Sequence, residues 1–250
     1  MLRRLPLLTA LLALAAPLQA QELLLRTVQQ SGSVVKYNPG GDPARPGLCL
    51  EILRAVEKQD PSLRFTGLDQ QVPLKRVERL LADGLVDAFF CLLKSPEREK
   101  QWRYVPVPLY TVRHILVQRA DDPHSPETLA ELAALSRRKP VLVMRGTALA
   151  RRLLAANVAI AEVGSEREAL QMLALGRADA IYGQDINLLH HVAESRQADK
   201  FRVGRRAFVE QPQYLALRAD LPAVHEERLT QALRQLEKDG TLRQLADKYR

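Results

Sequence analysis

Two cysteines, one tryptophan and 5% aromatic residues are little for a chain of 250 residues. So few cysteines exclude a disulfide-dense scaffold, and their spacing matches no CxxC redox motif. The five histidines (His114, His124, His190, His191, His225) do not fall at metal-ligand spacings with them, so no metal and no cofactor are expected. Scarce aromatics and the absence of any run of five like charges leave no stacking platform and no polyelectrolyte surface, which argues against nucleic acid as a partner. No nucleophile–base pair and no phosphate-cradling glycine loop stands out. No apolar stretch reaches the roughly 20 residues needed to cross a bilayer. What is present is ordinary for a folded, water-soluble body: 46% hydrophobic and 26% charged residues, with a formal charge of +8.

The first residues have the three parts of an export signal. Arg3 and Arg4 precede the apolar stretch from Leu5 to Leu18, and Gln19-Ala20-Gln21 supplies a small-residue cleavage site. Residues 1–20 therefore read as a signal peptide, and the periplasm as the destination. Loss of Arg3 and Arg4 lowers the net charge from +8 to +6. In that oxidising compartment Cys49 and Cys91 could form a structural disulfide or remain two buried thiols.

Along the mature chain, strand and helix alternate. A strand at 23–28 leads into a loop rich in Gly, Pro and Asn, and Leu48, Ile52, Leu53 and Val56 then recur at helical spacing until Asp60-Pro61. A strand at 63–67, a helix at 73–82 and an apolar strand at 86–93 follow. The rhythm restarts with strands at 141–144 and 160–163 and a helix whose start carries the S-x-x-E spacing of Ser165 and Glu168. A strand at 179–182, a helix at 186–193, strands at 201–209 and 214–217 and two terminal helices complete an α/β layer pattern. Helix-Gly-x-x-Asp-Ala-strand occurs twice, as LLADGLVDAFF at 80–90 and MLALGRADAIY at 172–182, which implies two similar lobes. Each glycine is explained as a left-handed residue closing its helix.

The ordered set PGLCLEIL (46–53), LLADGLVDAFF, SPEREKQWRYVPVPLY (95–110), VLVMRGT (141–147), LALGRADAIYGQD (173–185), QYLAL and LEKDGTLRQLADKY resembles the family 3 extracellular solute-binding proteins of polar amino acid transporters. The resemblance spans nearly the whole mature chain. It implies a two-lobed periplasmic binding protein fold (type II) with the ligand cleft between lobes that close by a hinge motion. The lobes would divide as 21–112 and 213–250 for the first and 113–212 for the second. It also implies a monomer, not an enzyme, that captures a small carboxylate-bearing solute and hands it to a membrane permease complex of the ABC type.

Arg98, in SPER, matches the family's cleft arginine, and its planar fork suits a ligand carboxylate. Arg98→Ala is expected to abolish binding while folding survives. Gly146 and Thr147 lie at a strand-to-helix turn, where free N–H groups attract an anion. Gln184 stands where amino acid binders place an aspartate on the ligand's ammonium, and Asp185 is one residue later. Gln184 cannot neutralise an ammonium, so an anion or neutral-headed acid is expected over a zwitterion unless Asp185 turns inward. Leu93 belongs to an apolar wall at 89–93 that Lys94 could relieve by turning in, and Tyr37 is the nearest replacement for an aromatic lid. Two other readings stand beside this one. The first is a dehydratase-like enzyme of cyclic acids with Asp185 or Glu51 as general acid. The second is an orphan sensor or interaction protein whose cleft is degenerate.

Overall fold

Parallel pairing organises the first part of the chain. The structure, a computed structural model, describes residues 22–250, so the expected signal peptide lies outside the described residues. Strands β1 (Leu23–Arg26) and β2 (Gln29–Gln30) are followed by helix α1 (Leu48–Gln59), and β3 (Leu63–Thr66) and β4 (Gln71–Val72) return parallel to β1 and β2. Helix α2 (Leu74–Ala82) starts after Pro73, whose fixed φ suits a helix entry, and leads to the fully buried β5 (Ala88–Leu93). A short helix α3 (Pro96–Glu99), β6 (Trp102–Tyr104) and the ten-residue β7 (Tyr110–Arg119) come next.

The chain continues through α4 (Leu129–Ser136), β8 (Val141–Met144), α5 (Ala148–Ala155), β9 (Ile160–Val163), α6 (Glu166–Ala174), β10 (Ile181–Gln184) and α7 (Asp185–Glu194). Strands β11 (Phe201–Val203) and β12 (Val209–Arg218) bring the chain back to α8 (Ala223–Lys238) and α9 (Thr241–Lys248). One sheet runs in the order β5-β12-β7-β10-β8-β9, with β6 beside β12 and β11 beside β7. Its centre is a pair of crossing strands. Residues 209–213 of β12 pair antiparallel with 110–114 of β7, and residues 213–217 continue against β5.

Residue alternation explains why helices cover both faces of the sheet. Val141 and Val143 of β8 join the core that also holds Leu132 of α4 and Leu153 of α5, whereas Leu142 joins a second core with Leu170 of α6 and Leu188 of α7. The first core extends to α1, where Leu48, Ile52, Leu53 and Val56 are buried at helical spacing, and to Leu229, Leu233 and Leu236 of α8.

The doubled Gly-x-x-Asp-Ala segment has a structural cause. Gly84 and Gly176 share φ 67°, as closing residues of α2 and α6. Each aspartate then ties its strand to basic side chains. Asp87 accepts from the backbone N and Nε of Arg26 at 2.8 and 2.9 Å and from Arg218 Nε at 2.8 Å. Asp179 lies 3.5 Å from both Arg119 Nη2 and Lys139 Nζ. Burial alone would raise the Asp87 pKa, but the Arg26 hydrogen bonds and the two arginine charges outweigh it and hold the carboxyl below the usual range. Its stabilising contribution is thus present above the unfolded-state value and is lost as pH falls into the acid range. Asp87→Asn should cost about 2 kcal/mol in urea unfolding at pH 7, a gap that closes in acid. Equal stability of variant and parent at neutral pH would contradict this role.

Candidate functional site

Between the two lobes lies a cavity of about 50 Å³. The lobes meet across it: Ser33 Oγ is 3.4 Å from Asn187 Oδ1, and the Lys75 side chain covers Gly146, where an added Cβ would come within 2.7 Å of it. The cleft is therefore closed in this structure.

SPER becomes a single helical turn that turns one side chain inward. Ser95 caps α3 by accepting from the Arg98 backbone N–H, Pro96 opens it, and Arg98 ends 3% exposed. Its guanidinium donates from Nε and Nη2 to Glu78 Oε1, at 3.0 and 2.5 Å, and from Nη1 to the Leu93 carbonyl at 2.8 Å. Three of five donors are thus held by the protein, and the Arg98 charge is answered by Glu78. The side chain has a structural as well as a cleft-facing role. Arg98→Ala is expected to destabilise the fold by about 3 kcal/mol, because it removes the close partner of a largely buried Glu78 and leaves it the exposed Lys75 ammonium at 3.6 Å. Adding Glu78→Gln should restore much of that stability, seen in denaturant unfolding. Full stability in Arg98→Ala alone would contradict the pairing.

Strand β5 reaches the cavity through a bulge. Its register against β12 shifts between Tyr214 and Ala216, and Cys91 sits at φ 65°, in the left-handed region that side chains disfavour. The bulge aims the Cys91 carbonyl at Lys36 Nζ, 3.0 Å away, and presents Leu92 and Leu93 to the cavity. The Cys91 side chain is bonded to Cys49 of α1, with 6.0 Å between Cα atoms. Lys94 turns the other way, its Nζ 4.0 Å from the Tyr214 ring centroid.

Of the residues singled out in the sequence, Arg98, Leu93, Thr147 and Gln184 line the cavity, and Gly146, Asp185 and Tyr37 do not. The Gly146 N–H is donated to Glu162. The Thr147 hydroxyl donates to the Met144 carbonyl and accepts from the Ala150 N–H, so it caps α5. The first two N–H groups of α5, those of Ala148 and Leu149, have no intrahelical partner, and both residues line the cavity. Asp185 accepts from the backbone N and Nε of Arg113 on β7, at 3.1 and 2.9 Å, and so anchors a crossing strand. The Tyr37 ring is in the core, and its hydroxyl donates to the Phe90 carbonyl. Glu51 accepts from Lys248 and Tyr249 and is absent from the cavity lining.

Two charged residues escaped sequence reasoning. Lys36 and Glu166 both line the cavity and are 6% and 5% exposed. Burial, with Arg98 nearby, pushes the Lys36 ammonium down to about 7, against the opposing pull of Glu166. Burial pushes the Glu166 carboxyl up to about 7, with its backbone hydrogen bond and Lys36 opposing. Four cavity-lining residues also hold buried polar atoms without a partner: Gln30 Oε1, Glu166 Oε2, Gln184 Oε1 and both amide atoms of Gln213. Gln213 lies where β12 leaves β7 for β5. Each such atom costs about 1–3 kcal/mol unless something binds it, and polar groups converging in a closed cleft mark a ligand site. Among the described residues one other cluster, His190, His191 and Glu194 of α7, offers metal-ligand atoms within 4.8 Å of one another. Arg167 Nη2 lies 3.8 Å from the Glu194 carboxylate and already supplies a cation there.

No protein-family model matches the sequence, and a search of curated proteins finds no match. Solved structures do match. An ancestral arginine-binding protein bound to arginine has a TM-score of 0.71 at 22% identity, over 90% of this chain and 97% of that one. The GluR0 ligand-binding core from Nostoc punctiforme, in complex with L-glutamate, gives 0.71 at 18% identity, over 90% and 98%. An ancestral amino acid-binding protein, a precursor of cyclohexadienyl dehydratase, gives 0.69 at 21%, over 90% and 94%. At these identities the likeness shows the fold, which is the two-lobed, type II periplasmic binding protein fold. No helix among the described residues is long and apolar enough to cross a membrane.

Proposed function

We propose that the chain is a periplasmic, monomeric, non-enzymatic solute-binding protein that closes its two lobes over a small carboxylate-bearing solute for an ABC-type permease. The observation that carries the reading is one cavity in which a buried lysine, a buried arginine and the start of α5 face unpartnered amide groups. Lys36 keeps ammonium donors beyond the one bonded to Cys91, Arg98 keeps two N–H groups, and the Ala148 and Leu149 N–H groups lie on the opposite lobe. A carboxylate bound there touches both lobes and so favours closure over opening. On this reading the hinge divides the chain near 112/113 and 212/213, where β7 and β12 pair.

An enzymatic reading has one observation in its favour: Glu166 is a cavity carboxyl held near neutrality, as a general acid must be. One experiment separates the two. A panel of small carboxylic acids, cyclic acids included, is tested for thermal shift and for turnover. A ligand at a hundred times its Kd stabilises by about 2.7 kcal/mol, or roughly 5–10 °C for a protein of this size. A shift without product supports the binding protein. A shift with product overturns it in favour of the enzyme, and no shift at all contradicts both.

A further inference from the structure

We propose that the last turn of α7 is a binding site for a divalent transition-metal ion, zinc foremost, with His190, His191 and Glu194 as ligands and Glu166 as the carboxylate that orients His191. The site lies outside the solute-binding reading and does not rest on it. The expectation of no metal compared the histidines with the two cysteines, whereas the ligand partner here is a glutamate on the same helix.

Helical spacing assembles the cluster. Residues 190 and 194 are four apart and residues 191 and 194 three apart, so both imidazoles lie beside one carboxylate. His190 Nε2 is 3.4 Å and His191 Nδ1 3.9 Å from Glu194 Oε2, and one ligand atom from each residue falls within 4.8 Å of the other two. These separations are longer than a good hydrogen bond and somewhat above the distance of about 3.3 Å that two ligand atoms keep around one tetrahedral zinc. Small side-chain rotations therefore seat an ion. Two imidazoles and a carboxylate suit zinc better than magnesium or calcium, which take oxygen ligands. The cluster is also at a helix C-terminus, where the dipole favours a cation. His191 and Glu194 line a hollow of about 460 Å³, which leaves space for water in the fourth position.

Behind His191 lies a second carboxylate. The other ring nitrogen, Nε2, faces Glu166 Oε2 at 4.0 Å, and Glu166 is 5% exposed. Lys36 attracts the Glu166 charge, but Oε2 itself has no hydrogen-bond partner. A histidine that binds zinc through Nδ1 carries its proton on Nε2 and donates it to an outer carboxylate, which fixes the ring and strengthens the ligand. Glu166, His191 and the proposed ion stand in that order. Zinc bound there gives the buried oxygen the hydrogen bond it lacks, and so connects the hollow to a residue on the wall of the cavity.

Arg167 is the competitor. Its Nη2 lies 3.8 Å from Glu194 Oε2, yet its side chain is 73% exposed, and an exposed pair at that distance is worth little. A zinc ion displaces it.

The test is calorimetric titration of zinc chloride into the untagged chain. The parent should bind one zinc. His190→Ala and Glu194→Gln change partly exposed side chains and should each lose at least tenfold in affinity. Glu166→Gln, which removes no ligand, should lose about tenfold. His124→Ala, which removes the imidazole beside Asp122, should change nothing. No binding to the parent, or binding equally tight in His190→Ala or Glu194→Gln, overturns the site, and loss of binding in His124→Ala places the ion elsewhere. Parent-like affinity in Glu166→Gln overturns the orienting role. Nitrogen-15 spectra of the zinc-loaded parent decide that role even if Glu166→Gln does not fold: His191 metallated at Nδ1 and protonated at Nε2 is expected, and metallation at Nε2 contradicts it.

Discussion

Lys36→Met is expected to abolish ligand binding and, at the same time, to raise the melting temperature of the ligand-free protein. Methionine keeps the length and apolar stem of lysine and removes the charge. Losing a buried cavity cation that has no carboxylate within 4 Å among the described residues should cost roughly 2–5 kcal/mol of affinity, a fall of about 30- to several thousand-fold. The stability gain follows from burial, which brings the ammonium from an ordinary value near 10.5 down to about 7. The unfolded chain therefore binds more protons than the folded one between those values. Stability of the parent rises with pH across that window and is penalised below it. Glu166 acts in the opposite window: its folded pKa is raised from 4.5 to about 7, so the stability it confers in acid is lost as pH climbs towards 7. Together the two groups place a stability minimum near neutrality, on the order of a few kcal/mol deep. Opening of the cleft hydrates both and returns part of that energy, so a rise of roughly 5 °C is expected for Lys36→Met at pH 7. A lysine that lowers stability where it sits is the signature of a group kept for binding. Scanning calorimetry and ligand titration on one sample decide it, and an unchanged melting temperature with unchanged affinity would end the argument.

Removing the disulfide should have the second large effect. Cys49 and Cys91 are separated by 42 residues, and closing a loop of that size stabilises by about 4 kcal/mol through the unfolded chain. The Cys49→Ala/Cys91→Ala protein should therefore melt roughly 10 °C lower. Binding should weaken as well, since Cys91 holds the left-handed bulge whose carbonyl fixes Lys36. Without the bond to α1, that residue is free to relax towards ordinary strand geometry. A double variant melting within 2 °C of the parent, with unchanged affinity, would show that the bulge stands without its staple. Alkylation of the unfolded, unreduced parent should add no mass, and two adducts would refute the bond directly.

Much of the fold was legible because it rests on local signals. The strand at 141–144, the strand at 160–163 and the helix start at Ser165 stand where alternation, apolar runs and capping place them. The two Gly-x-x-Asp-Ala segments close their helices as the glycines require. The crossing strand β7 was visible only through the family resemblance, as the place where the chain leaves the first lobe, because YTVRHILVQR interleaves Arg113 and His114 with its apolar residues. The β5 bulge has no sequence signal, since Phe90-Cys91 contains neither Gly nor Asn.

The site was harder to read than the fold. Arg98 and Thr147 carried motif signals, and both line the cavity. Asp185 was the alternative amine partner, but as the first residue of α7 it reaches back to Arg113 and leaves Gln184 at the cavity. Lys36 and Glu166 carried no motif. A lysine in a Pro- and Gly-rich loop and a glutamate inside a capping segment both look like solvated surface, and their burial around the cavity is a tertiary event that local sequence does not signal. The one available clue was Val34-Val35-Lys36-Tyr37, a charge set among residues that a solvated loop does not need.

The central claim, that this cleft captures a small carboxylate-bearing solute, is tested most directly by titrating the parent protein and Lys36→Met with the best compound of the acid panel. The account predicts one site per chain on the parent and loss of that site in a Lys36→Met protein that remains folded. Equal affinity in the two proteins, or no heat and no thermal shift from any compound on the parent, would contradict it.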